Sequence, residues 1–96
     1  GQIAIDPKTG NLDTANISVE TKRVMENIRA ILQSSKMEMK DIAKATIYLT
    51  NLDDFKTVNE VYASYFGAGP YPARETVEVS RLPKGAHVEI SVTAIH

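Results

Sequence analysis

The sequence predicts an α+β domain in which one sheet carries two helices on a single face. Two stretches, 24–32 and 55–66, repeat apolar residues at helical spacing, and three others, 42–49, 76–80 and 87–95, read as strands. Breaks dense in Gly, Pro, Asn and Asp separate them. With a short strand at the start, the predicted order is β-α-β-α-β-β. Crossovers between neighbouring parallel strands share one hand, which puts both helices on the same side of the sheet.

The opening Gln2-Ile3-Ala4-Ile5 alternates weakly and runs into Asp6-Pro7-Lys8-Thr9-Gly10-Asn11, so a short strand followed by a loop is expected. Ser18 is the expected N-cap of the first helix, its hydroxyl accepting from a first-turn amide. Val24, Ile28, Ile31 and Leu32 form that helix's apolar stripe, while Glu20, Lys22, Arg23, Glu26 and Arg29 are expected to meet water. In the strand 42–49, Ala43, Ala45, Ile47 and Leu49 share one face, and Lys44, Thr46 and Tyr48 share the other. Asn51-Leu52-Asp53-Asp54 ends it and supplies acceptors for a second helix. That helix's core stripe is Phe55, Val58, Tyr62, Tyr65 and Phe66, and Gly67 stops it in a left-handed conformation. The segment 67–72 is a loop by composition, and Leu82-Pro83-Lys84-Gly85 is a turn. In the last strand Val88, Ile90, Val92 and Ala94 alternate with His87, Glu89, Ser91 and Thr93. The second set is too polar for another core layer. It is either wet or packed against another subunit.

Composition narrows the function. The chain has 96 residues, enough for one domain (1–96) but with little stability to spare. Its formal net charge is −1, with Lys and Arg scattered among Asp and Glu, so no basic stripe offers itself to nucleic acid. No apolar run approaches a membrane span. The absence of cysteine excludes disulfides, Cys-based metal sites and a thiolate nucleophile, and it fits a reducing, cytoplasmic setting. His87 and His96 match no metal spacing, the serines lack a His-Asp arrangement, and Gly67 and Gly69 flank no strand-to-helix turn. The tyrosines, Tyr62 and Tyr65 above all, are better read as core than as stacking platforms.

Two residues stand out. Arg74 follows Pro72 where a restrained loop enters a strand, so its backbone is fixed and its guanidinium is free to grip a carboxylate through two parallel hydrogen bonds. A structural ion pair or an exposed strand end accounts for such an Arg equally simply, and more commonly. Glu89 lies mid-strand among apolar neighbours on the open sheet face. A carboxylate there is either wet or partly desolvated, and the second environment suits a group that positions or deprotonates water.

The run from Pro72 through Arg74 to Leu82, followed by Val88-Glu89-Ile90, resembles the C-terminal signature of the Rid/YjgF family of reactive-intermediate deaminases. Gly1-Gln2-Ile3 with Asp6-Pro7 and Thr9-Gly10, and 51–55 with Val58-Asn59 and Tyr62, extend the resemblance over essentially the whole chain. It implies a chorismate-mutase-like α+β fold with a mixed sheet, and a homotrimer with ligand clefts between subunits. The implied reaction is hydrolysis of 2-iminopropanoate or 2-iminobutanoate, and their enamine tautomers, to the 2-keto acid and ammonia without cofactor or metal. Such imines arise from pyridoxal-phosphate dehydratases acting on serine or threonine. Carried onto this sequence, Arg74 binds the substrate carboxylate and Glu89 orients or activates water. Thr76, where many relatives have Cys, lines the pocket with its backbone. Gly1 and Asn59 match further pocket positions.

Two departures bear on that resemblance. Glu75 follows Arg74 where relatives carry a small residue, although strand alternation points it away from the cleft. Relatives also have an N-terminal β-hairpin before the Gly-Gln segment, bearing a Tyr that faces substrate and a Ser beside Gly1. The sequence opens at Gly1, without the hairpin. The expectation is that those strands belong to the protein, because their loss would expose unpaired backbone in a small domain. Two other functions remain open at this point. One is non-catalytic binding of small carboxylate metabolites in the same cleft. The other is the endoribonuclease or translation-inhibitor activity sometimes attached to the family, which the near-neutral charge disfavours.

Overall fold

A computed structural model describes residues 1–95; His96 lies outside the described residues, and so does any reading placed on it. The sheet has three strands in the order β2-β1-β3, with β1 (Ile42–Leu49) central, β2 (Ala73–Glu78) parallel to it and β3 (Val88–Ala94) antiparallel. Helix α1 (Ile17–Ser34) precedes β1, and α2 (Phe55–Ser64) forms the crossover from β1 to β2. Both helices cover one face. Val24, Met25, Ile28 and Leu32 of α1 and Val58 and Tyr62 of α2 are buried together with Ala45, Ile47, Leu49, Val88 and Ile90 of the sheet. The expected α+β arrangement is therefore the observed one. Among the described residues no helix is long and apolar enough to cross a membrane.

Several local expectations change. Gln2–Ile5 is not a strand: Gln2 bridges Ile90, Ile5 bridges Leu12, and each pairing stops there. Asn27 explains why, because its side-chain amide donates to the carbonyls of Ile3 (3.2 Å) and Ile5 (2.8 Å) and ties this segment to α1. The N-cap of α1 is Asn16, not Ser18. Asn16 is extended and its Oδ1 accepts from Val19 N at 2.9 Å, while Ser18 is already inside the first turn. Ile31 leaves the core stripe and is 49% exposed, beside a groove it shares with Gly1, Gln2 and Val92. Ala43 is exposed and Ile42 buried, because a register shift between Ile42 and Lys44 turns the start of β1 by one residue.

The largest correction concerns Glu20, expected in water but only 1% exposed. Its carboxylate accepts from the backbone N–H of His87 (2.7 Å) and Val88 (3.3 Å) and contacts His87 Nδ1 at 2.8 Å. A buried carboxylate needs such partners, and these tie α1 to the start of β3.

On α2, Asn51 caps the preceding 3₁₀ turn by accepting from Asp53 N at 2.9 Å. Gly67 has φ +57°, two residues beyond the helix C-cap Tyr65. Strand β2 begins at Ala73 rather than Thr76, since pairing with Lys44 starts directly after Pro72. This places Arg74 inside the strand.

Candidate functional site

Strand alternation decides where each predicted site residue points. Along β1, Ala45, Ile47 and Leu49 face the helices and Thr46 and Tyr48 face the open side. Arg74 is the β2 partner of Ala45, and Thr76 that of Ile47, so both lie on the helix-covered side at the sheet's edge. Glu89 is the β3 partner of Tyr48, and Ser91 that of Thr46, so both lie on the open side. Within one chain Arg74 and Glu89 thus stand on opposite faces, two strands or about 10 Å apart along the hydrogen-bonding direction. One chain does not bring them together.

Around Arg74 the structure assembles a groove of about 380 Å³ lined by Asn59, Tyr62, Ala63, Tyr71, Pro72 and Arg74. Asn59, Tyr62 and Ala63 fall three and four residues apart on α2, hence on one helix face, and Phe55 precedes Asn59 by one turn. The guanidinium lies over the rings of Phe55 (5.5 Å to the centroid) and Tyr62 (5.7 Å), and its Nη1 donates to Thr76 Oγ1 at 3.0 Å. Phe55, expected in the core, is 40% exposed and serves as a platform for this cation. Burial raises the Tyr62 phenol above its ordinary pKa, and the positive charge of Arg74 partly offsets the rise.

Among the described residues no carboxylate comes within ion-pair distance of Arg74. Its neighbour Glu75 points the other way, accepting from Thr46 Oγ1 at 3.2 Å and lying 3.9 Å from Lys44 Nζ. The possible competitor is therefore engaged on the open face. A guanidinium without a carboxylate partner, lying over two rings beside an amide, has the chemistry to receive a planar anion.

The second group of residues is on the open face. Gly1 packs against Glu89 and Ser91 so closely that a Cβ at position 1 would overlap the carboxylate of Glu89 and stand 2.8 Å from Ser91 Oγ. Glu89 is half-buried. The predicted residues thus divide into Arg74, Thr76 and Asn59 on one side, and Gly1 and Glu89 on the other. Reasoning from sequence missed the groove walls Tyr62 and Tyr71 and the ring of Phe55 beneath Arg74, although 55, 59 and 62 on one helix face were legible from spacing. The Glu20–His87 contact had no such signal, because 67 residues separate its partners.

Comparison with known proteins adds a family and its relatives. The sequence model of the family described as endoribonuclease L-PSP matches residues 1–96. A RutC family protein of Pyrococcus horikoshii is 50% identical over 94 residues, covering 98% of this chain and 74% of its own length. A 2-iminobutanoate/2-iminopropanoate deaminase of Salmonella typhimurium is 39% identical, with 99% of this chain and 75% of that protein covered. Among solved structures, E. coli TdcF with bound serine superposes with a TM-score of 0.94 at 38% identity, covering 100% of this chain and 76% of that one.

Proposed function

The chain belongs to the Rid/YjgF (endoribonuclease L-PSP) family, and on that premise we propose that it hydrolyses 2-imino and enamine acids, such as 2-iminopropanoate and 2-iminobutanoate, to 2-keto acids and ammonia. The observation that carries the reading is Arg74, a guanidinium with no carboxylate partner among the described residues, braced over Phe55 and Tyr62 at the mouth of a groove. Arg74 binds the substrate carboxylate there, and Asn59 lines the same groove. Glu89 supplies the proton acceptor for water. Because the two residues face opposite sides of one sheet, the reading requires a cleft built by two copies. One copy presents the edge groove with Arg74, Asn59 and Thr76. Its neighbour in a homotrimer presents the open face with Glu89 and Gly1.

The chemistry asks little of the protein. The imine carbon is already electrophilic. A fixed cation beside the carboxylate lowers the repulsion that an incoming hydroxyl meets, while Glu89 takes the proton from water as the C–O bond forms. Glu89 returns that proton to the nitrogen, which completes the carbinolamine. It then takes the carbinol hydroxyl proton and passes it to the nitrogen as the C–N bond breaks, so the keto acid and ammonia leave and Glu89 ends as the carboxylate. Orientation and one acid-base group account for the turnover, with neither metal nor cofactor, and a cysteine-free chain suits the reducing cytoplasm.

The test couples a pyridoxal-phosphate dehydratase acting on threonine to this protein and follows keto-acid release. The expected result is faster release with the protein than without it, lost in Arg74→Ala and in Glu89→Ala with the fold retained. Serine held by the TdcF relative favours a second reading, binding of a small amino or keto acid without turnover. Binding of 2-oxobutanoate with no acceleration of release decides for that alternative. RNA cleavage, which the family's description names, draws no support from a chain of net charge −1.

A further inference from the structure

We infer that Thr76 is a positioning residue: its hydroxyl engages Nη1 of Arg74 and so presents the Nε–Nη2 edge of the guanidinium to the substrate carboxylate. The inference rests on the proposed role of Arg74 and extends it to a side chain with no assigned part of its own. Residues 74 and 76 are two apart on β2 and therefore share a face. Thr76 is half-buried, and its β-branched side chain has little rotamer freedom in a strand, so the acceptor stays where the backbone puts it. At 3.0 Å the Nη1–Oγ1 contact is a good hydrogen bond.

A free arginine side chain carries four flexible torsions and offers its donors in many directions. Here three contacts restrict it. The rings of Phe55 and Tyr62, at 5.5 and 5.7 Å, support the guanidinium, and Thr76 fixes its rotation in plane. The Nε–H and one Nη2–H bond run parallel along the remaining edge, which matches the two oxygens of a carboxylate side-on. Without the hydroxyl, the rings alone leave the guanidinium free to turn in its own plane, and the fraction of time it presents the correct edge falls.

Purified wild type, Thr76→Val, Thr76→Ser and Arg74→Ala are compared for 2-oxobutanoate binding by calorimetry, for dehydratase-coupled keto-acid release and for thermal midpoint. Valine keeps the shape and removes the acceptor; serine restores the acceptor. The expected result for Thr76→Val is about five- to ten-fold weaker 2-oxobutanoate binding, at least as large a fall in release, and a thermal midpoint within about 2 °C of wild type. Thr76→Ser is expected within about two-fold of wild type in binding and release. Wild-type binding in Thr76→Val overturns the inference, and so does a Thr76→Ser variant as impaired as Thr76→Val, since the methyl group would then be what matters. The Arg74→Ala control separates this failure from that of the functional reading. If wild type neither binds 2-oxobutanoate nor speeds release, the reading itself fails. If wild type does both and Arg74→Ala does neither, the reading holds and the Thr76 variants alone judge the inference.

Discussion

Two variants that are inactive separately are expected to rescue one another when mixed. Arg74→Ala removes the proposed carboxylate receptor and Glu89→Ala the proposed proton acceptor, and each alone should slow keto-acid release by about a hundredfold or more. Strand register puts the two side chains on opposite faces of one sheet, so a working cleft draws them from different copies. In trimers formed from equal amounts of both variants, a cleft is intact where its Arg74 comes from the Glu89→Ala copy and its Glu89 from the Arg74→Ala copy. Each condition holds for half of the clefts, so about one quarter of them carry both residues. Coexpressed or co-refolded mixtures should therefore recover about a quarter of wild-type release in the dehydratase-coupled assay. Were both residues of a cleft supplied by one chain, no mixed species would contain an intact cleft. A mixture that stays at the level of the separate variants, with mixed trimers demonstrated by native mass spectrometry, refutes the two-chain cleft.

The remaining predictions concern stability. Glu20→Ala leaves the N–H groups of His87 and Val88 without their buried acceptor and should cost about 3 kcal/mol, a thermal midpoint lower by roughly 12 °C or more. A melting curve within about 3 °C of wild type would mean that water replaces the carboxylate. Tyr62→Phe should be neutral or stabilise by up to about 1 kcal/mol, because the Tyr62 hydroxyl is buried with no hydrogen-bond partner among the described residues; a loss beyond that size in chemical denaturation reveals a bond the phenol makes. The phenols of Tyr62 and Tyr65 are both raised above their ordinary 10.0, Tyr62 by burial and Tyr65 by burial and by its hydrogen bond to Glu26. The unfolded chain then loses these protons first, so stability present below pH 10 falls as pH rises beyond it. Thermal midpoints at pH 9 and above, in wild type and Tyr65→Phe, should show a shallower alkaline decline in the variant, and parallel declines contradict the assignment.

The fold was legible where periodicity carries the information. The stripe Val24, Ile28, Leu32 and the alternation Ala45, Ile47, Leu49 define two surfaces that must meet, and they do. What failed was decided by partners distant in the chain. No local pattern says that the Asn27 amide will take the carbonyls of Ile3 and Ile5 and stop them from extending into a strand. None says that the Glu20 carboxylate will be withdrawn from water to receive the amides of residues 87 and 88. Phe55 shows a subtler failure. Its position in the apolar stripe was read as core, yet its ring lies at the rim, where the Arg74 cation covers it. Of the proposed site, Arg74 and Glu89 stood out as unusual positions by residue type and context. Their separation to opposite faces was also available, since it follows from the register of β2 and β3 against β1, but that register becomes visible only once the strand ends are known.

This separation bears on how strong the site can be. In a single chain Arg74 is exposed and Glu89 only half-buried, so water screens both, and a carboxylate ligand gains little from one solvated guanidinium. Covering the β2 edge with the open face of a second copy removes that water from both residues at once. Each charge then acts through a medium of lower effective dielectric, where the attraction between guanidinium and carboxylate rises several-fold. Association would thus do more than complete the list of residues. On the proposed two-copy cleft, the step that brings Glu89 to Arg74 would also strengthen what each does to an imino acid. It follows that dilution below the assembly threshold should abolish turnover faster than it reduces the folded fraction. Release per mole of protein, measured against concentration alongside circular dichroism, tests this directly: activity that tracks the folded signal alone contradicts a site completed by assembly.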